Sequence, residues 1–189
     1  MFFVVSGCAA FVFFYLFDFN KLYRTMPFGG VLFFLGCAVL FISSIGAFFS
    51  GGIRVLLSLP WMIVFAVLAM LSLLMMLWAL FFSLPFLKTY VEGESGRVVD
   101  TGLYAVCRHP GVLFFALMYL CLWLVSGRDT MLAAAICWTM MDVLHVYVQD
   151  RWLFPKTLSG YEEYRLRVPF LIPNTASIRR GFETIRGKE

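Results

Sequence analysis

Two short stretches hold most of the residues able to do chemistry in this chain. The first, "AVCRHPGVLFF", sets Arg108 and His109 immediately before Pro110 at the head of an apolar run. Proline fits the first turn of a helix, where its missing N–H would have no intrahelical partner in any case. The spacing therefore predicts a helix opening at Pro110, with the N–H groups of Gly111, Val112 and Leu113 free. A helix end of this kind attracts anions, and Arg108 and His109 add two donors beside it. The chemistry suggested is the seating of a carboxylate or phosphate. The alternative is a juxtamembrane Arg-His pair whose side chains simply extend to water.

The second stretch is "TMMDVLHVYVQD". Asp142, His145 and Gln149 fall at i, i+3 and i+7, which places them on one helical face. Ionisable residues inside an apolar helix face a bundle interior or a water-filled path. They can serve proton transfer there, or Asp142 and His145 can satisfy each other and hold helices together. Asp150 falls one residue beyond that face, at the expected membrane interface.

The elements that must position these residues are membrane helices. Of the 189 residues, 62% are hydrophobic, 22 are Phe and only 14% are charged, against near half apolar and a quarter charged in soluble domains. Five segments are apolar enough to cross a bilayer: Met1–Phe17, Val31–Ser50, Trp61–Ser83, Gly111–Val125 and Thr130–Val148. The first has no preceding basic residue and no small-x-small site, so it reads as a retained helix. The expectation is an all-α polytopic bundle of about five transmembrane helices, forming one domain over residues 1–189. Residues 1–83 supply three helices; residues 84–189 supply two more and a tail. "SGRDT" allows only a tight turn between the last two helices, which must lie side by side, with Asp129 or Thr130 as cap.

Charge sets the orientation. With five crossings and a cytoplasmic C-terminus, every Lys and Arg except Arg54 and Arg128 falls inside, as the positive-inside rule requires. The net charge of +4 is then topological and does not point to nucleic acid. Polarity gathers on that same side. It includes the start of the fourth helix, the end of the fifth, the loop Leu84–Cys107 and an amphipathic, basic tail. In the tail, "YEEYRLRVPFLIP" interleaves aromatics with charges and is expected to lie along the membrane surface, over the mouth of a site. Phosphate-binding glycine loops, H-E-x-x-H and G-x-S-x-G are all absent. Two histidines cannot make a multi-histidine metal site, and five cysteines without a C-x-x-C pair read as buried thiols.

Residues 100 to 173 resemble the isoprenylcysteine carboxyl methyltransferase-like group of integral membrane enzymes, whose C-terminal signature phospholipid methyltransferases share. "TGLYAVCRHP" fits G-x-Y-x-x-x-R-H-P through Gly102, Tyr104, Arg108, His109 and Pro110. After the second helix, Gln149-Asp150 stands where the family has an acidic pair. Ten residues later come Tyr161, Tyr164, Val168 and Pro169, fitting Y-x-x-Y-x-x-x-V-P. The resemblance implies transfer of a methyl group from S-adenosylmethionine to a lipidic or amphiphilic acceptor at the cytoplasmic face. It implies a cofactor pocket drawn from Tyr104, Arg108, His109, Pro110, Gly111, Gln149, Asp150, Tyr161 and Tyr164. Arg108, His109, Asp150 and His145 become the candidate catalytic groups, the last two for an amine acceptor that must lose a proton. The chain departs from the family where Val112 and Phe114 replace its Tyr and Gly, and where Gln149 replaces an acid. Two other classes remain open: a non-catalytic membrane protein that keeps the fold, and a nicotinamide-dependent membrane reductase related to sterol reductases. Neither metal nor nucleic acid is expected; membrane lipid is, and the small and Phe-rich faces of the first two helices also suit a homodimer.

Overall fold

The computed structural model describes residues 1–27, 29–52, 54–82 and 96–187. The described residues are all-α apart from one two-residue strand pairing and an isolated antiparallel bridge between Arg54 and Arg128. Its long elements are α1 (Phe2–Tyr23), α2 (Gly29–Phe49), α3 (Leu59–Leu77), α5 (Pro110–Ser126) and α6 (Asp129–Val148). Short elements α4 (Leu103–Val106), α7 (Phe154–Thr157), α8 (Tyr161–Arg167) and α9 (Thr175–Arg186) surround the N-terminal end of α5 and the C-terminal end of α6. Strands β1 (Gly96–Arg97) and β2 (Leu158–Ser159) pair in parallel. Of the predicted loop Leu84–Cys107, residues 84–95 lie outside the described residues.

Among the described residues, four helices are long and apolar enough to cross a membrane, and α5, at 17 residues, is shorter. The bundle pairs α1 with α2 and α3 with α5, while α6 packs against both α1 and α5. Its outer surface is apolar, as lipid contact demands: Phe41, Phe49, Trp61, Ile63 and Met70 are all exposed. Along α3 only Ala69 and Ser72 are buried. A helix apolar on every side is stable only in a core or in lipid.

Where no hydrophobic force drives helices together, close packing and interhelical hydrogen bonds do so. Gly7 lets α1 approach α6 so closely that a Cβ there would overlap the Trp138 indole. Trp138, fully buried, donates from Nε1 to the Val4 carbonyl of α1 at 2.9 Å. Ser44 of α2 pairs with the Tyr119 hydroxyl of α5 at 2.7 Å, and Ser6 of α1 with Ser43 of α2 at 2.8 Å. The α5–α6 turn is as tight as expected. Gly127 ends α5 at φ 65° with its N–H on the Trp123 carbonyl, a conformation glycine adopts without penalty. At the start of α6, Asp129 accepts from the Thr130 N–H, while the Thr130 hydroxyl reaches the Ala47 carbonyl of α2.

The first helix differs from its prediction. It does not stop at Phe17 but runs to Tyr23, carrying Asp18 inside the bundle, 6% exposed. Apolar patterning ends at a carboxylate, whereas the helix continues because partners on α6 neutralise that carboxylate. The tail segment from Tyr161 has one face turned inward. Tyr161, Tyr164 and Val168 are buried together against Val98, Phe154 and Leu158. The two hydroxyls bond Asp150 in the turn after α6 and the Tyr104 carbonyl of α4, while Leu166 is exposed.

Candidate functional site

Pro110 occupies the first turn of α5, as its chemistry requires, with His109 as the preceding cap residue. Of the three N–H groups expected to be free, that of Val112 is bonded to the His109 carbonyl at 3.2 Å. Gly111 sits in the same turn, with room beside it for no more than ordinary contact with Leu80.

The end of α6 supplies the other half. Val148 is followed by a π-helical turn, Gln149–Leu153. Such wide turns recur at functional sites because the extra residue re-aims the side chains that follow. Here Gln149 faces α1 and Asp150 faces α5. Asp150 is 1% exposed, and its carboxylate is the hub of the cluster. Oδ1 accepts from the Tyr161 hydroxyl at 2.6 Å, lies 2.9 Å from Arg108 Nε and 3.4 Å from His109 Nε2. Beside Arg108 and His109 thus stands the chain's own carboxylate.

The guanidinium is only partly used. Nη1 donates to the Arg165 carbonyl at 2.7 Å, and the Phe170 ring lies 5.6 Å from the guanidinium carbon. The Nε–H, although close to Asp150, is not aimed at it and has no hydrogen-bond acceptor, while the side chain is 10% exposed. The contact with Asp150 is thus coulombic, and one buried donor is left over. Buried donors without acceptors are rare and costly.

The two sequence blocks interlock around this hub. The Arg108 N–H donates to the Pro169 carbonyl at 2.9 Å, and the Tyr164 hydroxyl to the Tyr104 carbonyl at 2.7 Å. Tyr104 in turn donates to the Ala79 carbonyl at the end of α3, at 3.1 Å. His109 is sandwiched by Phe154, stacked at 5.9 Å, and Phe170, edge-on at 5.0 Å. Burial pushes the His109 pKa below its ordinary value, against the opposing pull of Asp150, and so favours the neutral ring. Burial first, and then the Asp150 charge, push the Tyr161 phenol well up; it is a donor at any physiological pH.

His145 stands apart. It is not paired with Asp142; its Nε2 lies 2.8 Å from Asp18 Oδ2 on α1. Gln149 donates to the same Asp18 oxygen at 2.9 Å. Asp18 is the residue that reading the two stretches missed. Its signal was a lone acid in an apolar run, three residues before the next charge, Lys21. A shallow apolar groove of about 320 Å³ runs along α6 past Thr139, Met140, Val143, Leu144 and Tyr147. Its last residue, Tyr147, meets the Phe170 ring that covers Arg108.

The fold and this site together define a multi-span helical membrane protein with a polar cluster at one end of α5 and α6. Set against known proteins, the chain matches no family model, no curated protein and no solved structure.

Proposed function

We propose that this chain is an integral membrane methyltransferase that takes the methyl group of S-adenosylmethionine and delivers it to a lipidic or amphiphilic carboxyl or amine. The observation that carries the reading is the convergence of two blocks, separated by a helical hairpin, on buried Asp150, beside a buried Arg108 N–H that lacks an acceptor. That unused donor, the first turn of α5 and the Asp150 carboxylate suit a ligand bearing both a carboxylate and an ammonium, which S-adenosylmethionine is. When bound, it supplies a methyl group activated by a sulfonium.

The chain's own residues do the rest. Arg108 and the Gly111 N–H hold a carboxylate; Asp150 accepts from an ammonium or a ribose hydroxyl. The hydroxyls of Tyr104, Tyr161 and Tyr164 are engaged within the protein, so these residues offer ring faces, which favour positive charge. Phe154 and Phe170 keep water from His109. Alignment at attack distance is worth roughly 7–11 kcal/mol in reactions of this kind. The acceptor's chain approaches along the α6 groove and its head passes Phe170. A carboxylate acceptor needs no base. An amine must first lose a proton, and Asp150, at the hub of the cluster, is the acceptor at hand.

Five crossings with a cytoplasmic C-terminus place this chemistry at the inner face, since all basic residues but Arg54 and Arg128 then lie inside. At about 1.5 Å per residue, the 17 residues of α5 reach about 25 Å, short of the roughly 30 Å hydrocarbon core. Arg108 and His109 are thereby drawn below the headgroups. A second reading, a non-catalytic helix clamp, is favoured by one observation: Asp150 already neutralises Arg108.

The test is transfer itself. Purified protein in vesicles of a total lipid extract, given methyl-labelled S-adenosylmethionine, is expected to place label in the lipid fraction. No label, with oxidation of NADPH instead, would make the chain a reductase; neither would make it a clamp.

A further inference from the structure

The helix α9 divides into three sectors. Successive residues lie 100° apart, so Ser177, Gly181 and Thr184 share one side, and this side is docked. Ser177 is 1% exposed, a Cβ on Gly181 would press on the Val106 side chain of α4, and Thr184 accepts from the Gly102 N–H at 3.0 Å. Arg179, Glu183 and Arg186 share the far side, with Arg179 bonded to Glu183 and both open to water. Between these two sides runs a third sector, Ile178, Phe182 and Ile185, exposed by 42%, 64% and 60%. Among the described residues nothing covers it, and it forms a continuous apolar stripe along a helix that its capping box at Asn174 starts firmly.

We propose that this stripe lies in the membrane interface, inserted among the acyl chains of an anionic leaflet. The position argues for lipid. The α4 segment that carries α9 ends four residues before Pro110, the first residue of membrane helix α5. The helix is therefore held at the level where headgroups begin, with its docked side on the protein and its stripe turned along the surface. Charge argues for an anionic surface: three arginines stand against one glutamate in α9. Arg180 is tied back to the Arg167 carbonyl at 2.9 Å, which leaves Arg179 and Arg186 flanking the stripe. Arginines beside an apolar face are the pattern of surface-seated helices. The consequence reaches the polar cluster. Through α4, the helix holds Tyr104 under Tyr164, so the leaflet braces the cap over Arg108 and Asp150. This inference does not depend on the methyltransferase reading.

Spin labels decide it. In a Cys37→Ser background, with that background alone as the labelling control, nitroxides are placed by Ile178→Cys, Phe182→Cys, Glu183→Cys and Arg179→Cys in nanodiscs of mixed neutral and anionic lipid. Positions 178 and 182 are expected to collide severalfold more with oxygen than with a water-soluble nickel chelate, and positions 179 and 183 the reverse. With Arg186→Gln in place, the depth at 182 is expected to decrease, and neutral nanodiscs to decrease it further. Equal nickel access at 182 and 183 would overturn the proposal. So would a label at 182 hidden from both reagents, which would mean that a second copy or another part of the chain covers the stripe. Depth at 182 unchanged between neutral and anionic discs would overturn the anionic preference.

Discussion

Two carboxylates organise the polar end of this bundle, and they are used differently. Asp18 on α1 accepts from His145 near the end of α6 and from Gln149 in the π turn that follows, about one helical turn apart. Both contacts are short. Asp150 gathers three partners from two separate parts of the chain, Arg108 and His109 before α5 and Tyr161 in the tail. Its histidine contact is long, its arginine contact is misaligned, and a buried N–H has no acceptor. The first arrangement is a clamp between two membrane helices. The second is a site that still has a donor to offer. The difference shows why a buried polar group alone says little about function, while an unsatisfied one says more.

The largest effect that sharpens this contrast is expected from Asp150→Ala. It strands a buried guanidinium, which costs about 3–5 kcal/mol, and thermal unfolding in detergent should fall accordingly. Asp18→Ala should cost less, about 1–3 kcal/mol, because it leaves hydrogen-bond donors unsatisfied but strands no guanidinium. If the two variants lose equal stability, the contrast fails.

Arg108→Lys keeps the charge beside Asp150 but removes the planar N–H fork. Unfolding should change little, while competition binding of S-adenosylmethionine should weaken by about 10- to 100-fold, the value of a hydrogen bond to a charged group. Unaltered affinity would mean that the leftover donor does not face the cofactor.

The smallest effect is the pH dependence carried by His109. Its folded pKa lies below its ordinary value, so the fold favours the neutral ring. The unfolded chain then binds more protons between the folded value and the ordinary value of 6.5, and stability rises with pH across that window. The share of His109 is complete above about pH 6.5 and is lost as pH falls through the lower folded value. Melting temperatures of the wild type and His109→Gln should therefore diverge on the acid side of neutrality and run parallel above it. Divergence on the alkaline side would show a protonated ring in the fold.

Most of the bundle was legible in the sequence because lipid imposes a simple rule: long apolar runs become helices. The Pro110 start and the Gly127 turn could be read as well, since each depends on a single residue's backbone. What could not be read depends on contacts distant in the chain. Asp18 looked like the end of a helix because its partners lie about 130 residues away. Asp142 and His145 share a face, yet helical spacing cannot say that α1 offers the nearer acid. The π turn re-aims Asp150, which no periodic pattern anticipates. Tyr161 and Tyr164 had the alternation of a surface helix, and only their hydroxyl partners at Asp150 and Tyr104 explain why they turn inward.

The central claim is that the cluster around Asp150 holds S-adenosylmethionine. The most direct measurement is titration calorimetry of the purified chain with S-adenosylhomocysteine, for the wild type, Arg108→Ala and Asp18→Asn. Saturable binding by the wild type and Asp18→Asn, lost in Arg108→Ala while that variant still unfolds cooperatively, is the predicted result. No saturable binding by the wild type, or equal affinity in all three, would contradict it.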